Sequence, residues 1–198
     1  MNLPNKITIS RIALIPVFIA LYYITAINRN FLYAAIVFCV AAFTDFLDGY
    51  IARKYNLVTD FGKFLDPIAD KVLVLAAFSL MLTNVGGGVL PPITGGVGVS
   101  IILAREFIVA SFRMVAASKS VVIAADKLGK IKTVTQDLSV VFLLVGKAFE
   151  TPEYKPFGAN FDAFTIIYYI GYALFVLCVI FTVISGVSYV YKNRAVLK

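Results

Sequence analysis

The residues best placed to do chemistry are four aspartates, Asp45, Asp48, Asp66 and Asp70. On helices, positions 45, 48, 49 and 52 share one face, and positions 62, 66 and 70 share a face of the next helix. A short turn between them makes the two helices antiparallel neighbours, so all four carboxylates can converge at similar depth. In an apolar setting such charges are costly, and neighbouring carboxylates oppose one another's ionisation. Either some are protonated or cations neutralise them. Oxygen donors without His or Cys favour hard ions such as Mg²⁺, Mn²⁺ or Ca²⁺. Two such ions bridged by shared carboxylates make a phosphoryl-transfer site.

Gly49, Ala52 and Gly62 lie on the acidic faces and open space for a bulky ligand to approach the backbone. Read singly, they equally suit close helix–helix packing. The chain has no histidine, so a general base must be a carboxylate, Lys, Tyr or Cys. Cys39 and Cys178 each sit in an apolar run, too few and too far apart for a thiolate metal site.

The elements that carry these residues are apolar. The chain of 198 residues is 61% hydrophobic, with a mean hydropathy of +0.91, outside the range of soluble domains. A helix needs about 20 apolar residues to cross the hydrocarbon core, which leaves room for six spans. Hydropathy places them near Ile7–Ala26, Phe31–Arg53, Phe61–Thr83, Val99–Ser118, Leu128–Phe149 and Phe161–Tyr191. The expected architecture is an all-α, six-transmembrane-helix bundle, one catalytic domain over residues 1–198. Connections poor in positive charge (28–30, 86–98, 150–160) alternate with basic ones. The latter are the amino terminus with Lys6 and Arg11, the turn from Arg53 to Lys63, the segment from Lys119 to Lys132, and the tail with Lys192, Arg194 and Lys198. The positive-inside rule puts both termini and the basic turns in the cytoplasm. The first apolar stretch is too long, and Ala26 to Arg29 too poor a cleavage site, for a removed signal peptide. The net charge of +7 then reflects cytoplasmic loops facing anionic headgroups, and no nucleic-acid partner is expected.

With those residues in place a resemblance can be stated. The pattern Asp45-x2-Asp48-Gly49-x2-Ala52-Arg53-x8-Gly62-x3-Asp66-x3-Asp70 resembles, position for position, the signature of the CDP-alcohol phosphotransferases. The resemblance implies that the four aspartates ligate two divalent cations, Mg²⁺ or Mn²⁺, that grip the pyrophosphate of a CDP-linked lipid. It implies that Asp70 is also the base on the acceptor hydroxyl. Gly49, Ala52 and Gly62 would line the CDP-lipid pocket, with Arg53 nearby. It further implies a multi-pass protein of the cell membrane, a homodimer, with its active site facing the cytoplasm.

The acceptor is read from other residues. Arg113 lies inside the fourth span, Arg105 and Glu106 lie deeper in it, and Lys119, Lys127, Lys130 and Lys132 follow. A basic cluster beside an acidic metal site calls for an anionic ligand, and a phosphate on the acceptor satisfies it. Arg105, Arg113, Lys127 and Lys130 are the expected phosphate-binding residues, although Arg105 and Glu106 alone also read as a structural ion pair. The opening with Asn2, Pro4, Asn5, Thr8 and Arg11, the run Ala104-Arg105-Glu106-Phe107, and Gly129-Lys130 through Lys132-Thr133 to Gln136 resemble one branch of the family. That branch joins CDP-diacylglycerol to sn-glycerol 3-phosphate. Serine, inositol phosphate or phosphatidylglycerol are the alternative acceptors. A cation transporter would also place acids in spans, but it leaves the interleaved arginine and small residues unexplained.

Overall fold

Among the described residues of the computed structural model, six apolar runs become six α-helices. Its backbone is described at residues 3–54, 60–119, 127–149 and 163–194, and its side chains there except at 3–6, 46–54, 60–67, 70, 117, 127 and 163. The helices are α1 (Leu3–Tyr23), α2 (Asn30–Lys54), α3 (Asp60–Met81), α4 (Pro92–Ser118), α5 (Lys127–Ala148) and α6 (Ala163–Asn193). A 3₁₀ turn at Val85–Gly87 leads from α3 towards α4, and there is no strand among the described residues.

Two helices begin earlier than hydropathy suggests, and both begin on proline chemistry. Pro4 falls in the first turn of α1 and Pro92 opens α4. Early N–H groups have no intrahelical partner, so a residue without one loses nothing there. The Gly/Pro-rich stretch expected as a loop to residue 98 therefore splits. Gly86, Gly87 and Gly88 do turn the chain, with φ of 60°, 84° and 79°. Gly98 instead lies inside α4, where a Cβ would fall 2.6 Å from the Phe175 ring.

Packing follows the same use of small residues. α5 and α6 share the most extensive interface, α1 lies on α2 and α3, α2 also touches α5, and α4 leans on α6. At the α5–α6 crossing a Cβ on Gly146 would sit 2.7 Å from the Tyr168 backbone. A Cβ on Gly171 would sit 2.7 Å from the Leu143 backbone nitrogen. Paired glycines let two backbones approach more closely than any side chain permits. Phe18, Phe38, Phe78, Leu143, Leu144 and Phe175 fill the core between the helices.

The outer surface is apolar as well. Ile93, Phe107, Met114 and Val187 are each at least two-thirds exposed, the surface a bilayer solvates and water does not. Two stretches, Pro92–Ala116 and Phe164–Asn193, are long and apolar enough to cross a membrane, and Ile7–Tyr23, Asn30–Asp45 and Lys71–Met81 are shorter apolar helices. The chain is a helical protein of membrane type.

Close packing and open space make opposite predictions for one substitution. Gly171→Ala forces the α5–α6 backbones apart and costs about 1–3 kcal/mol. Gly96→Ala, where no atom lies within 4 Å of the new Cβ, gains about 0.5–1 kcal/mol from helix propensity. Thermal unfolding in detergent should rank the three proteins Gly96→Ala, wild type, Gly171→Ala.

Candidate active site

Helix α2 carries Asp45 and Asp48, and α3 carries Asp66 and Asp70. Each pair lies within one helix, so the spacings that put them on common faces hold in the backbone. The side chains of Asp48, Gly49, Ala52, Arg53, Gly62, Asp66, Asp70 and Lys127 lie outside the described residues. Asp45 is the aspartate of the four whose side chain is described. Among the described residues no three His, Cys, Asp or Glu side chains gather as a metal site.

Asp45 is held by a residue from another helix. Arg11 Nη1 donates to Asp45 Oδ1 at 2.5 Å, with the Arg11 side chain 0% exposed and that of Asp45 45% exposed. Sequence reasoning grouped Arg11 with the basic residues of a cytoplasmic terminus; the structure buries it in α1 and pairs it. The signal was present: Arg11 is ionisable and stands inside an apolar span, where such a residue needs a partner.

The Asp45 carboxylate opens on a cleft of about 80 Å³. Arg11 and Asp45, Thr133 and Asp137 of α5, and the apolar Phe38 and Leu73 line it. That volume has room for a few waters or a small hydrated cation. With Oδ1 on Arg11, the partly exposed carboxylate keeps an oxygen for a further partner. Asp45 and the other three aspartates offer only oxygen, the donor set of a hard divalent cation.

A second polar cluster lies between α3, α4 and α5. Glu106 Oε1 accepts from Arg105 Nη1 at 2.9 Å and from Lys132 Nζ at 2.8 Å, and Glu106 Oε2 lies 3.8 Å from Lys71 Nζ. Arg105 Nη2 also donates to Ser185 Oγ on α6 at 3.2 Å. Gly186 gives this side chain its path, since a Cβ there would come within 3.0 Å of Arg105 Cγ. Arg105 and Glu106 do form the ion pair that their adjacency suggested. Lys132, read among the basic residues of a loop, is buried in α5 and joins it.

The expected phosphate-binding residues with described side chains differ in their surroundings. Arg105 is in the Glu106 cluster, whereas Arg113 and Lys130 are exposed, and among the described residues neither forms an ion pair. Sequence reasoning missed Lys71 and Glu106 as members of a shared cluster. Each is an ionisable residue within an apolar helix, but nothing in its own helix names its partner.

Comparisons with known proteins agree along the whole chain. The family model for CDP-alcohol phosphatidyltransferase matches residues 1–184. The chain is 42% identical to the CDP-diacylglycerol–glycerol-3-phosphate 3-phosphatidyltransferase of Bacillus subtilis, covering 100% of this chain and 97% of that protein. The protein of that name from Rickettsia bellii is 40% identical, over 95% of this chain and 93% of its own. The one from Shigella flexneri serotype 5b is 35% identical, over 98% and 96%.

The Arg11–Asp45 pair carries its own prediction. Arg11→Met keeps the volume but removes a charged hydrogen bond, and lowers stability by about 1–3 kcal/mol. Arg11→Lys keeps the charge and recovers part of the loss. Unfolding midpoints of the three purified proteins should fall in the order wild type, Arg11→Lys, Arg11→Met.

Proposed function

The chain belongs to the CDP-alcohol phosphatidyltransferase family, and from that premise we propose that it transfers the phosphatidyl group of CDP-diacylglycerol to the 1-hydroxyl of sn-glycerol 3-phosphate, releasing CMP. The observation that carries the reading is the identity to relatives of that activity from end to end, 42% over 100% of the chain for one of them, together with the unbroken eight-position aspartate signature. The reaction serves anionic phospholipid synthesis.

Asp45, Asp48, Asp66 and Asp70 are the residues that would hold two divalent cations, Mg²⁺ or Mn²⁺. Such ions, when bound, offset charge on the pyrophosphate oxygens and on the departing CMP. Asp70 takes the proton from the acceptor hydroxyl, a task that falls to a carboxylate readily in a chain without histidine. Gly49, Ala52 and Gly62 leave room for the cytidine diphosphate along α2 and α3, and Arg53 lies near it. Arg105, Arg113, Lys127 and Lys130 supply positive charge for the acceptor's phosphate. Arg11 fixes the Asp45 carboxylate, so the direction of its remaining oxygen is set before a ligand arrives.

The alternation of basic and non-basic connections supports six spans of the cell membrane, with both termini and the aspartates at the cytoplasmic side. This is where a soluble acceptor and CMP can exchange. The resemblance supports a homodimer, which cross-linking in native membranes tests.

Three outcomes are expected from purified protein. CMP release from CDP-diacylglycerol requires sn-glycerol 3-phosphate, stops on chelation and returns with Mg²⁺ or Mn²⁺. Activity with serine and none with glycerol 3-phosphate would overturn the acceptor. Asp70→Asn loses at least about 100-fold in turnover, the scale of a general base, while holding CDP-diacylglycerol within a few-fold of wild type. Asp48→Asn instead weakens Mn²⁺ and nucleotide binding. Equal turnover in Asp70→Asn and wild type would remove Asp70 as the base.

A further inference from the structure

Glu106 faces more positive charge than it can neutralise, and its three partners are not equivalent. Lys132 is 4% exposed and 2.8 Å away, so it cannot leave the carboxylate without stranding a desolvated charge. Arg105 is 14% exposed, 2.9 Å away, and shared with Ser185. Lys71 is 41% exposed and 3.8 Å away, beyond hydrogen-bond reach and screened by solvent. Lys132 and Arg105 are therefore anchored, whereas Lys71 is held loosely at the end of a flexible four-carbon stem. Among the described residues, three cations on one carboxylate leave an excess of two positive charges. Lys71 also follows Asp70 directly in the chain, so this excess borders the acidic faces.

We propose that Glu106 is a resident counter-anion, and that a phosphate monoester dianion arriving at the cluster draws Lys71 away from it while Lys132 and Arg105 stay in place. The inference rests on the proposed use of a phosphate-bearing acceptor and adds Lys71 to its recognition. The charges match, since a dianion cancels an excess of two. Glu106 then sets a threshold. An uncharged or zwitterionic acceptor offers Lys71 no better partner than the carboxylate it already has, so the exchange selects for phosphate. No covalent bond changes in this step.

Inorganic phosphate is the probe, at constant ionic strength and pH 7 with EDTA present, and the readout is thermal stabilisation of the full-length protein in detergent. Lys71→Met should raise the half-saturating phosphate concentration about tenfold, the loss of one charge-assisted contact. Lys71→Arg should stay within about threefold of wild type because it keeps the charge. Glu106→Gln removes the competing anion and should lower that concentration at least about threefold. Wild-type phosphate binding in Lys71→Met would overturn the proposal. So would a Glu106→Gln protein that binds phosphate as weakly as Lys71→Met, since Glu106 would then be scaffold and not competitor. If Glu106→Gln fails to fold, the two Lys71 variants decide. CMP release by the wild type, assayed alongside with glycerol 3-phosphate, separates the two readings. Its absence removes the proposed acceptor and leaves the phosphate result standing.

Discussion

A guanidinium with no exposure to solvent, in an apolar bundle, has to be paired, and Arg11 on Asp45 meets that requirement. An unpaired charge in such a place costs several kcal/mol. Helix α1 therefore cannot slide or turn against α2 without breaking the contact, whereas its leucines and isoleucines would tolerate a small shift. Asp45 begins the acidic face of α2, so the register of α1 also orients the first carboxylate of the site. Glu106 and Lys132 play the same part between α4 and α5, with Lys132 nearly as buried as Arg11.

Ion pairs of this kind set register but supply little of the attraction between helices. Where lipid tails are as apolar as side chains, close approach does more, and the α5–α6 contact shows how it is reached. Gly146 and Gly171 each place bare backbone against the backbone of the opposite helix. Small residues have a second use beside the charged cluster. Gly186 leaves a channel for Arg105 to reach Ser185, and a Cβ on Gly129 would stand 3.6 Å from the end of the same guanidinium. The same residue type thus brings helices together at one level and lets a long cation pass between them at another.

What the sequence discloses divides along this line between local and non-local geometry. Helical periodicity is local, so the common faces of 45, 48, 49 and 52 and of 62, 66 and 70 were legible, and so was the count of six helices. Helix starts were less so: Pro92 and Gly98 read as loop because hydropathy scores residue type and not the ring of Phe175 that fills the space beside Gly98. Partnerships between helices were hardest. Arg11 and Lys132 were counted by their sign and distance from a span end, which describes topology and not burial. Their partners lie 34 and 26 residues away in the chain, and no periodicity reaches that far.

The two clusters also explain each other electrostatically. Suppose an acceptor dianion reaches a point about 10 Å from the acidic faces. At an effective dielectric of about 20, each ionised aspartate repels each of its charges by about 1.7 kcal/mol, and with Arg11 offsetting Asp45 the total is on the order of 10 kcal/mol. An excess of two positive charges at about 5 Å attracts the same dianion by on the order of 13 kcal/mol. The basic cluster around Glu106 is thus large enough to offset the repulsion of the site it borders, so an anion can bind there without metal. Cations neutralising the aspartates would shift that balance towards binding, which makes acceptor affinity depend on metal even where the acceptor touches none.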